Sequence, residues 1–235
     1  MNKCNSFSQQ TLDFLLENRI ADSKPWFLEH RDLYEAHVLA PFRALVEALA
    51  PAMLAIDPEL ICEPKVGRSI SRIYRDTRFS KNKAIFREVM WCTFIRDKRI
   101  YHGLPAFFFE LSPGGFRYGC GYYCAGTETM TAIRRLIVNN DKSWQAALQA
   151  FQAQKVFYLE VERYKRSRHP DQPEALRAWL DQKSICLLHD SDDFELLFSP
   201  ALADRLAGDF TDIAPVYHFM MKAESQVDHR PARAR

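Results

Sequence analysis

Apolar residues recur at three- and four-residue spacing through the first quarter of the chain. Leu12, Leu15 and Leu16 fall on one side of a helix that Ser8 is placed to cap. Ser23, Lys24 and Pro25 have the form of a second start, with Ser as cap and Pro in the first turn. Trp26, Phe27, Leu33 and Tyr34 continue at helical spacing, and Pro41 either kinks that helix or begins the next. Phe42, Leu45, Val46 and Leu49 extend the stripe until Asp57-Pro58 ends it.

The period then shortens. Residues 86–95 are rich in β-branched and aromatic side chains. An apolar run at 106–111 meets the turn signal Ser112-Pro113-Gly114-Gly115, and 116–124 follows as a second strand, which predicts an antiparallel hairpin over 106–124. Gly119 and Gly121 share one face of that strand, leaving it bare for the close approach of a packed aromatic ring, a backbone or a ligand. Helices are predicted at 128–138 and 142–153, an extended segment at 155–164, a short helix opened by Pro173 and running through Trp179, and a brief strand at 185–188. Leu202, Leu206, Phe210, Ile213 and Tyr217 form one closing helix. Helices at both ends around an antiparallel centre predict an α+β fold, its sheet built on a central hairpin and packed by N-terminal and C-terminal helices. The simplest organisation is a single domain over 1–227 with a basic, frayed tail at 228–235.

Composition narrows the function classes more than it selects one. Of 235 residues, 47% are hydrophobic and 26% charged, which suits a globular chain with a sizeable core, and 17 Phe, 9 Tyr and 4 Trp make that core aromatic. The net charge of +2 gives no global argument for nucleic acid or membrane, so any electrostatic argument is local. Six cysteines, at 4, 62, 92, 120, 124 and 186, include no Cys-x-x-Cys pair and read as reduced, buried, structural thiols. With no secretory leader behind Lys3 and no apolar run of about 18 residues, a cytoplasmic protein without membrane contact is expected.

Most catalytic signatures are absent from the sequence. It has no Gly-x-x-x-x-Gly-Lys-Ser/Thr loop, Gly119-Cys-Gly121 lacks the third glycine of a dinucleotide fingerprint, and Gly67-Arg-Ser69-Ile-Ser71 lacks the last glycine of a nucleophile elbow. His30 and His37 lie two turns apart without an acidic residue at ligand spacing, and Asp192-Asp193 sits in a turn, so neither a metal nor any other cofactor is expected.

One segment departs from the chain's charge balance. Residues 67–88 carry seven Arg or Lys in 22 positions against two acids, Asp76 and Glu88, and five of the seven are Arg. A guanidinium fork matches phosphate or carboxylate and stays charged when partly buried. Tyr74, Phe79 and Phe86 lie between the charges, and Asp76, between Arg75 and Arg78, is placed to orient both. The candidate anion site is therefore Arg68, Arg72, Tyr74, Arg75, Asp76, Arg78, Ser80 and Lys83. Its spacing fits a helix face through Arg68, Arg72 and Arg75, or a strand face through Arg72, Tyr74 and Asp76; turn residues near Ser80 favour a strand feeding a loop. Three readings stay open. The cluster binds an anionic small molecule, as an enzyme or not. It contacts nucleic acid or an acidic protein in a stripe reaching Arg96, Lys98 and Arg99. Or it is a structural ion-pair network using acids such as Glu29, Asp32 or Glu35. Tyr74 is the nearest proton donor, and its ordinary pKa near 10 makes it a weak one; Ser80, beside two lysines, is a candidate hydroxyl nucleophile.

The run Ile70-Ser-Arg72-Ile-Tyr-Arg75-Asp76-Thr-Arg78-Phe79-Ser80-Lys-Asn-Lys83 resembles the signature of domain-of-unknown-function family 2461. Leu12-Asp-Phe14-Leu15, Trp26-Phe27, His30-Arg31, Tyr34-Glu35 and Pro41 resemble its N-terminal helices. Residues 109–121 resemble its glycine-containing hairpin, and Tyr164-Lys165-Arg166, His169-Pro170 and Lys183 its C-terminal part. The resemblance spans residues 7–222 and implies fold and membership but no reaction. After Lys83 the family pattern runs Thr-Pro-Tyr-Lys where this chain has Ala84-Ile85-Phe86-Arg87, and paired asparagines expected before Trp26 are reduced to Asn18.

Overall fold

The computed structural model describes residues 6–78, 81, 83–97, 103–160 and 162–227. The elements run α1 (Gln9–Ala21), α2 (Lys24–Glu29), α3 (Arg31–Tyr34), a π-helical turn (Glu35–Leu39), α4 (Ala40–Ile56), β1 (Met90–Phe94), β2 (Ala106–Ser112) and β3 (Gly115–Gly121). They continue with α5 (Thr127–Val138), α6 (Lys142–Ala153), β4 (Tyr158–Leu159), α7 (Glu174–Leu180), β5 (Cys186–Ser191), α8 (Phe194–Phe198), α9 (Ala201–Asp212) and α10 (Ala214–Glu224). The antiparallel sheet has the order β1-β2-β3-β5-β4, and the fold is α+β with helices at both ends. The chain divides into two compact units, one of residues 1–94, 108–118 and 190–208, the other of 95–107, 119–189 and 209–235.

In the first unit, Ser8 and Ser23 occupy the helix starts they were expected to cap, and the Ser23 hydroxyl accepts from the Trp26 amide at 3.4 Å. Of the two expectations for it, Pro41 meets the second: it lies in the first turn of α4 and begins that helix. Lacking an N–H, it leaves the His37 carbonyl, four residues back, without its helical donor. The chain loosens into the π-helical turn there, and the buried Thr11 hydroxyl of α1 donates to that carbonyl at 2.6 Å. By length and hydropathy the run Arg31–Ile56 would suit a membrane span. Its Phe42, Leu45, Val46, Leu49 and Met53 are core residues, each at most 4% exposed, and a core helix passes the same test. Phe7, Phe42 and Phe109 meet at ring distances of 5.0–6.1 Å. A second aromatic cluster joins Phe14, Trp26, Phe27, Tyr34, Tyr74 and Phe86.

The second unit packs α6 against α10, with Trp144 touching Trp179 and Phe219 at 5.2 and 5.4 Å, and Phe107 touching Phe210 and Tyr217. The bare face of Gly121 is taken by backbone: a side chain there would collide with Cys186 and lie 2.5 Å from the Ile185 carbonyl oxygen. Of the three occupants the bare face admitted, a neighbouring backbone is the one found at Gly121.

Several sequence expectations need correction in detail. The extended segment at 155–164 shrinks to Tyr158–Leu159. The single closing helix is two, because Pro215 starts a new one after Ile213. Cys92, Cys120 and Cys186 are buried, but Cys62 is only partly so and Cys124 is exposed. The tail expected at 228–235 lies outside the described residues.

Candidate functional site

The arginine-rich segment forms an irregular antiparallel hairpin. Tyr74 pairs with Phe86, flanked by Arg75 N–H to Ile85 O at 2.8 Å and Arg87 N–H to Ile73 O at 2.9 Å. Ile70 pairs with Cys92, flanked by Ser71 N–H to Trp91 O and Thr93 N–H to Ser69 O. Four residues separate the paired positions on one strand and six on the other, so the second strand bulges between Phe86 and Cys92. This settles the helix-or-strand ambiguity for strand. Alternation puts Tyr74 with Phe86 on one face, and Arg75 with Arg87 on the other.

The hairpin is anchored at two points. Asp22, in the left-handed conformation at the end of α1 (φ 42°), accepts from the Ile85 and Phe86 amides through one carboxylate oxygen at 2.7 and 3.1 Å. Fully buried Phe86 packs on Phe27 at 5.1 Å and Tyr74 at 4.8 Å. Tyr74 stays 41% exposed at the edge of this cluster. Behind it Tyr34 is buried, which pushes its hydroxyl pKa far up and removes it as a proton donor.

The candidate residues do not all converge. Arg68 is held by Glu63, with hydrogen bonds of 3.0 and 2.6 Å. Arg78 forms a two-pronged pair with Asp76 at 3.0 and 2.7 Å, and its own amide also donates to that carboxylate. These bonds hold the Asp76 carboxyl down at about pKa 2. Asp76 thus orients Arg78 rather than both neighbours. Lys83 closes the loop by donating to the Thr77 carbonyl at 3.0 Å, and Ser80 lies outside the described residues. Glu35 pairs with Arg43 at 3.2 Å and not with the hairpin.

Two guanidiniums of the set remain. Arg72 is exposed and passes over Gly67, whose missing side chain leaves room 3.7 Å from its nitrogens. Arg75 is half-buried; among the described residues neither side chain makes a hydrogen bond or ion pair. Arg87, within the basic segment but not among the residues singled out, completes the group. It donates to the Tyr74 carbonyl at 3.3 Å and lies 4.7 Å over the Trp91 ring. Burial lowers its pKa, and the positive charge of Arg75 lowers it further, against a smaller opposing effect of Asp76. Arg75 and Arg87 are neighbouring like charges.

Val89, two residues beyond Arg87, lines a cavity of about 550 Å³ that the sequence did not announce. Its other walls come from β2, β3, β5 and the residues next to them: Glu110, Ser112, Gly115, Arg117, Asp190 and Asp192 among them. Arg117 pairs with Asp190 at 2.8 Å and reaches toward Glu110 at 3.9 Å. Burial raises the Glu110 pKa, partly offset by Arg117 and reinforced by Asp190. Glu110 and Arg117 come from the β2–β3 hairpin, and Asp190 joins them on β5 from a distant part of the chain, so no local spacing could have shown the full set. The described residues hold no group of three or more His, Cys, Asp or Glu arranged for a metal ion.

The model of a family described as "Conserved hypothetical protein (DUF2461)" matches residues 10–219. No curated protein matches the chain.

Proposed function

The chain belongs to the conserved hypothetical protein family DUF2461, and on that premise we propose that it binds a small phosphate- or carboxylate-bearing molecule between Arg75 and Arg87. One observation carries the reading: Arg75 and Arg87, close enough for one charge to act on the other and the second partly desolvated, have no carboxylate pair among the described residues. Like charges held together in partly buried surroundings repel, and an anion bound between them reverses the sign of that interaction. The surroundings support preorganisation. Asp22 and the Phe27–Phe86 stack fix the hairpin backbone, Trp91 supports the Arg87 plane, and Arg72 and Lys83 add positive potential at either end. Val89 leads from Arg87 toward a cavity whose size suits the rest of a small ligand.

Arg68 and Arg78 follow the structural reading instead, since each already holds a carboxylate. They are outside the proposed contact set.

A thermal-shift series with inorganic phosphate, citrate and nucleoside monophosphates, run against chloride at matched ionic strength, tests the proposal. An anion that raises Tm in the wild type and not in Arg75→Ala or Arg87→Ala is the expected result. Arg75→Ala alone is expected to leave the ligand-free Tm unchanged or higher, because it removes a repulsion and no described bond. Equal shifts in all three proteins, or a lower ligand-free Tm in Arg75→Ala, would refute it.

A further inference from the structure

The second unit carries its own concentration of positive charge. In the loop between β4 and α7, four of the six residues at 163–168 are Arg or Lys and none is acidic. Arg163, Lys165, Arg166 and Arg168 are all exposed, and among the described residues none of these side chains has an ion pair. The acid that precedes them, Glu162, is near Lys183 at 3.9 Å, and Asp171 and Glu174 follow only after the turn at His169.

The backbone that presents these charges is pinned. The buried Gln182 side chain accepts from the Glu162 amide at 3.0 Å, and Lys183 donates its own amide to the Glu162 carbonyl at 2.7 Å. Tyr164 donates to the Asp181 carbonyl at 3.0 Å, and the buried Asp181 carboxylate accepts from the Arg168 amide at 3.0 Å. One side chain is positioned as well: the Arg168 guanidinium lies 3.7 Å from the centre of the Tyr164 ring. Stacking fixes its plane and leaves its N–H edge facing outward. Arg134, on the same ring at 5.7 Å, is spent on the Leu180 and Gln182 carbonyls and serves as support.

We infer that this loop is a binding surface for the phosphate backbone of single-stranded nucleic acid, separate from the anion site of the first unit. Cations exposed on a surface suit a partner whose charges repeat along its length, since each added phosphate contact releases counterions. Three of the four are arginines, whose forks match phosphate oxygens and stack on bases. Among its described residues the loop offers no large exposed aliphatic side chain for insertion into lipid, which favours nucleic acid over a membrane surface.

Fluorescence anisotropy with a labelled single-stranded RNA of about 20 nucleotides, read across a salt series, tests this. The wild type is expected to bind at low salt with a slope of log K on log salt near −3, from about four contacts at ~0.7 each. Arg166→Glu with Arg168→Glu is expected to weaken binding at least about tenfold and flatten the slope by about 1.4. Arg166→Gln alone, at a side chain without a described bond, should flatten it by about 0.7 with Tm unchanged, which separates lost contacts from lost folding. No binding at low salt, an unchanged slope in these variants, or binding to phosphatidylserine vesicles with none to RNA would overturn the inference.

Discussion

Asp22 bears more of the hairpin's position than any other residue outside it. One carboxylate oxygen accepts two amides, from Ile85 and Phe86, at 2.7 and 3.1 Å, across 63 and 64 residues of sequence. Asp22→Ala removes both bonds and leaves the amide of fully buried Phe86 without its partner. Hydrogen bonds to a charged group contribute about 1.5–3 kcal/mol each, and because the two share one oxygen their joint loss is about 3 kcal/mol. Alanine also sits poorly at φ 42°, a left-handed conformation that aspartate tolerates, adding about 1 kcal/mol. A total of about 4 kcal/mol corresponds to a Tm lower by roughly 8–16 °C for a chain of this size. Asp22→Asn keeps an oxygen acceptor and the left-handed preference, so it should lose only about 1 kcal/mol. Urea unfolding measures the stabilities, and hydrogen exchange at Ile85 and Phe86 tells where the loss falls. Both amides should lose protection in the alanine variant before those of β1 do. An alanine variant within 1 kcal/mol of wild type (about the loss of one ordinary hydrogen bond), or one whose two amides stay protected, would refute the anchoring argument.

Gly121→Ala should destabilise by at least about 1–3 kcal/mol, since the new methyl meets the Ile185 and Cys186 backbone, which cannot swing aside. Gly114→Ala, with open space around it, is the neutral control in the same urea titration. Asn18 is fully buried and both polar atoms of its side chain are without a partner, so Asn18→Leu should stabilise by about 1–2 kcal/mol; a loss instead would place a bound water or ligand group on that amide. Glu110 holds its proton to higher pH in the native state than in the unfolded chain, so the native state binds more protons in that window and stability falls as pH rises through it. Glu110→Gln should accordingly raise Tm relative to wild type at neutral pH, with the difference shrinking as pH falls toward about 4; a difference that grows on acidification contradicts the assigned direction.

What the sequence made legible was mostly local. The 106–124 hairpin was readable because Ser112-Pro113-Gly114-Gly115 leaves the chain few alternatives to a tight turn, and the strands close it as β2 and β3. Helix starts at Ser8 and Ser23 were readable for the same reason. Pro215 carried an equally plain signal that was outvoted by the apolar spacing of Phe210, Ile213 and Tyr217, which continues across the break between α9 and α10. The alternating pattern at 155–164 looked like a strand, but beyond Tyr158–Leu159 regular pairing gives way to an isolated bridge of Arg163 with Gln182, and the Glu162 amide goes to the Gln182 side chain. In the arginine segment the residues fitted a helix face and a strand face equally well. The tie is broken by pairing with residues 85–93 and by Asp22, and neither appears in any local window. Nor does the cavity, whose charges come one each from β2, β3 and β5.

The partition of the hairpin's charges is what turns a compositional bias into a site. Seven basic residues in 22 positions suggested convergence, and convergence of all of them would be self-defeating, because repulsion grows with every added pair. Arg68 and Arg78 escape this by taking Glu63 and Asp76, and pairs so exposed add little to stability. Their effect is to fix where charge is already cancelled. Arg75 and Arg87 lie on the opposite face from Tyr74 and Phe86, on a backbone that Asp22 holds at residues 85 and 86. That backbone cannot splay to relieve their repulsion without giving up the Asp22 bonds and the Phe86 packing. The strain of two neighbouring cations is therefore retained by the fold, and an anion entering between them gains attraction to both without reorganising either strand. The same reasoning separates the two basic regions. On the proposed readings, the hairpin's two cations beside a cavity suit a small ligand, whereas the four spread along the exposed 163–168 loop suit a partner with a repeating charge.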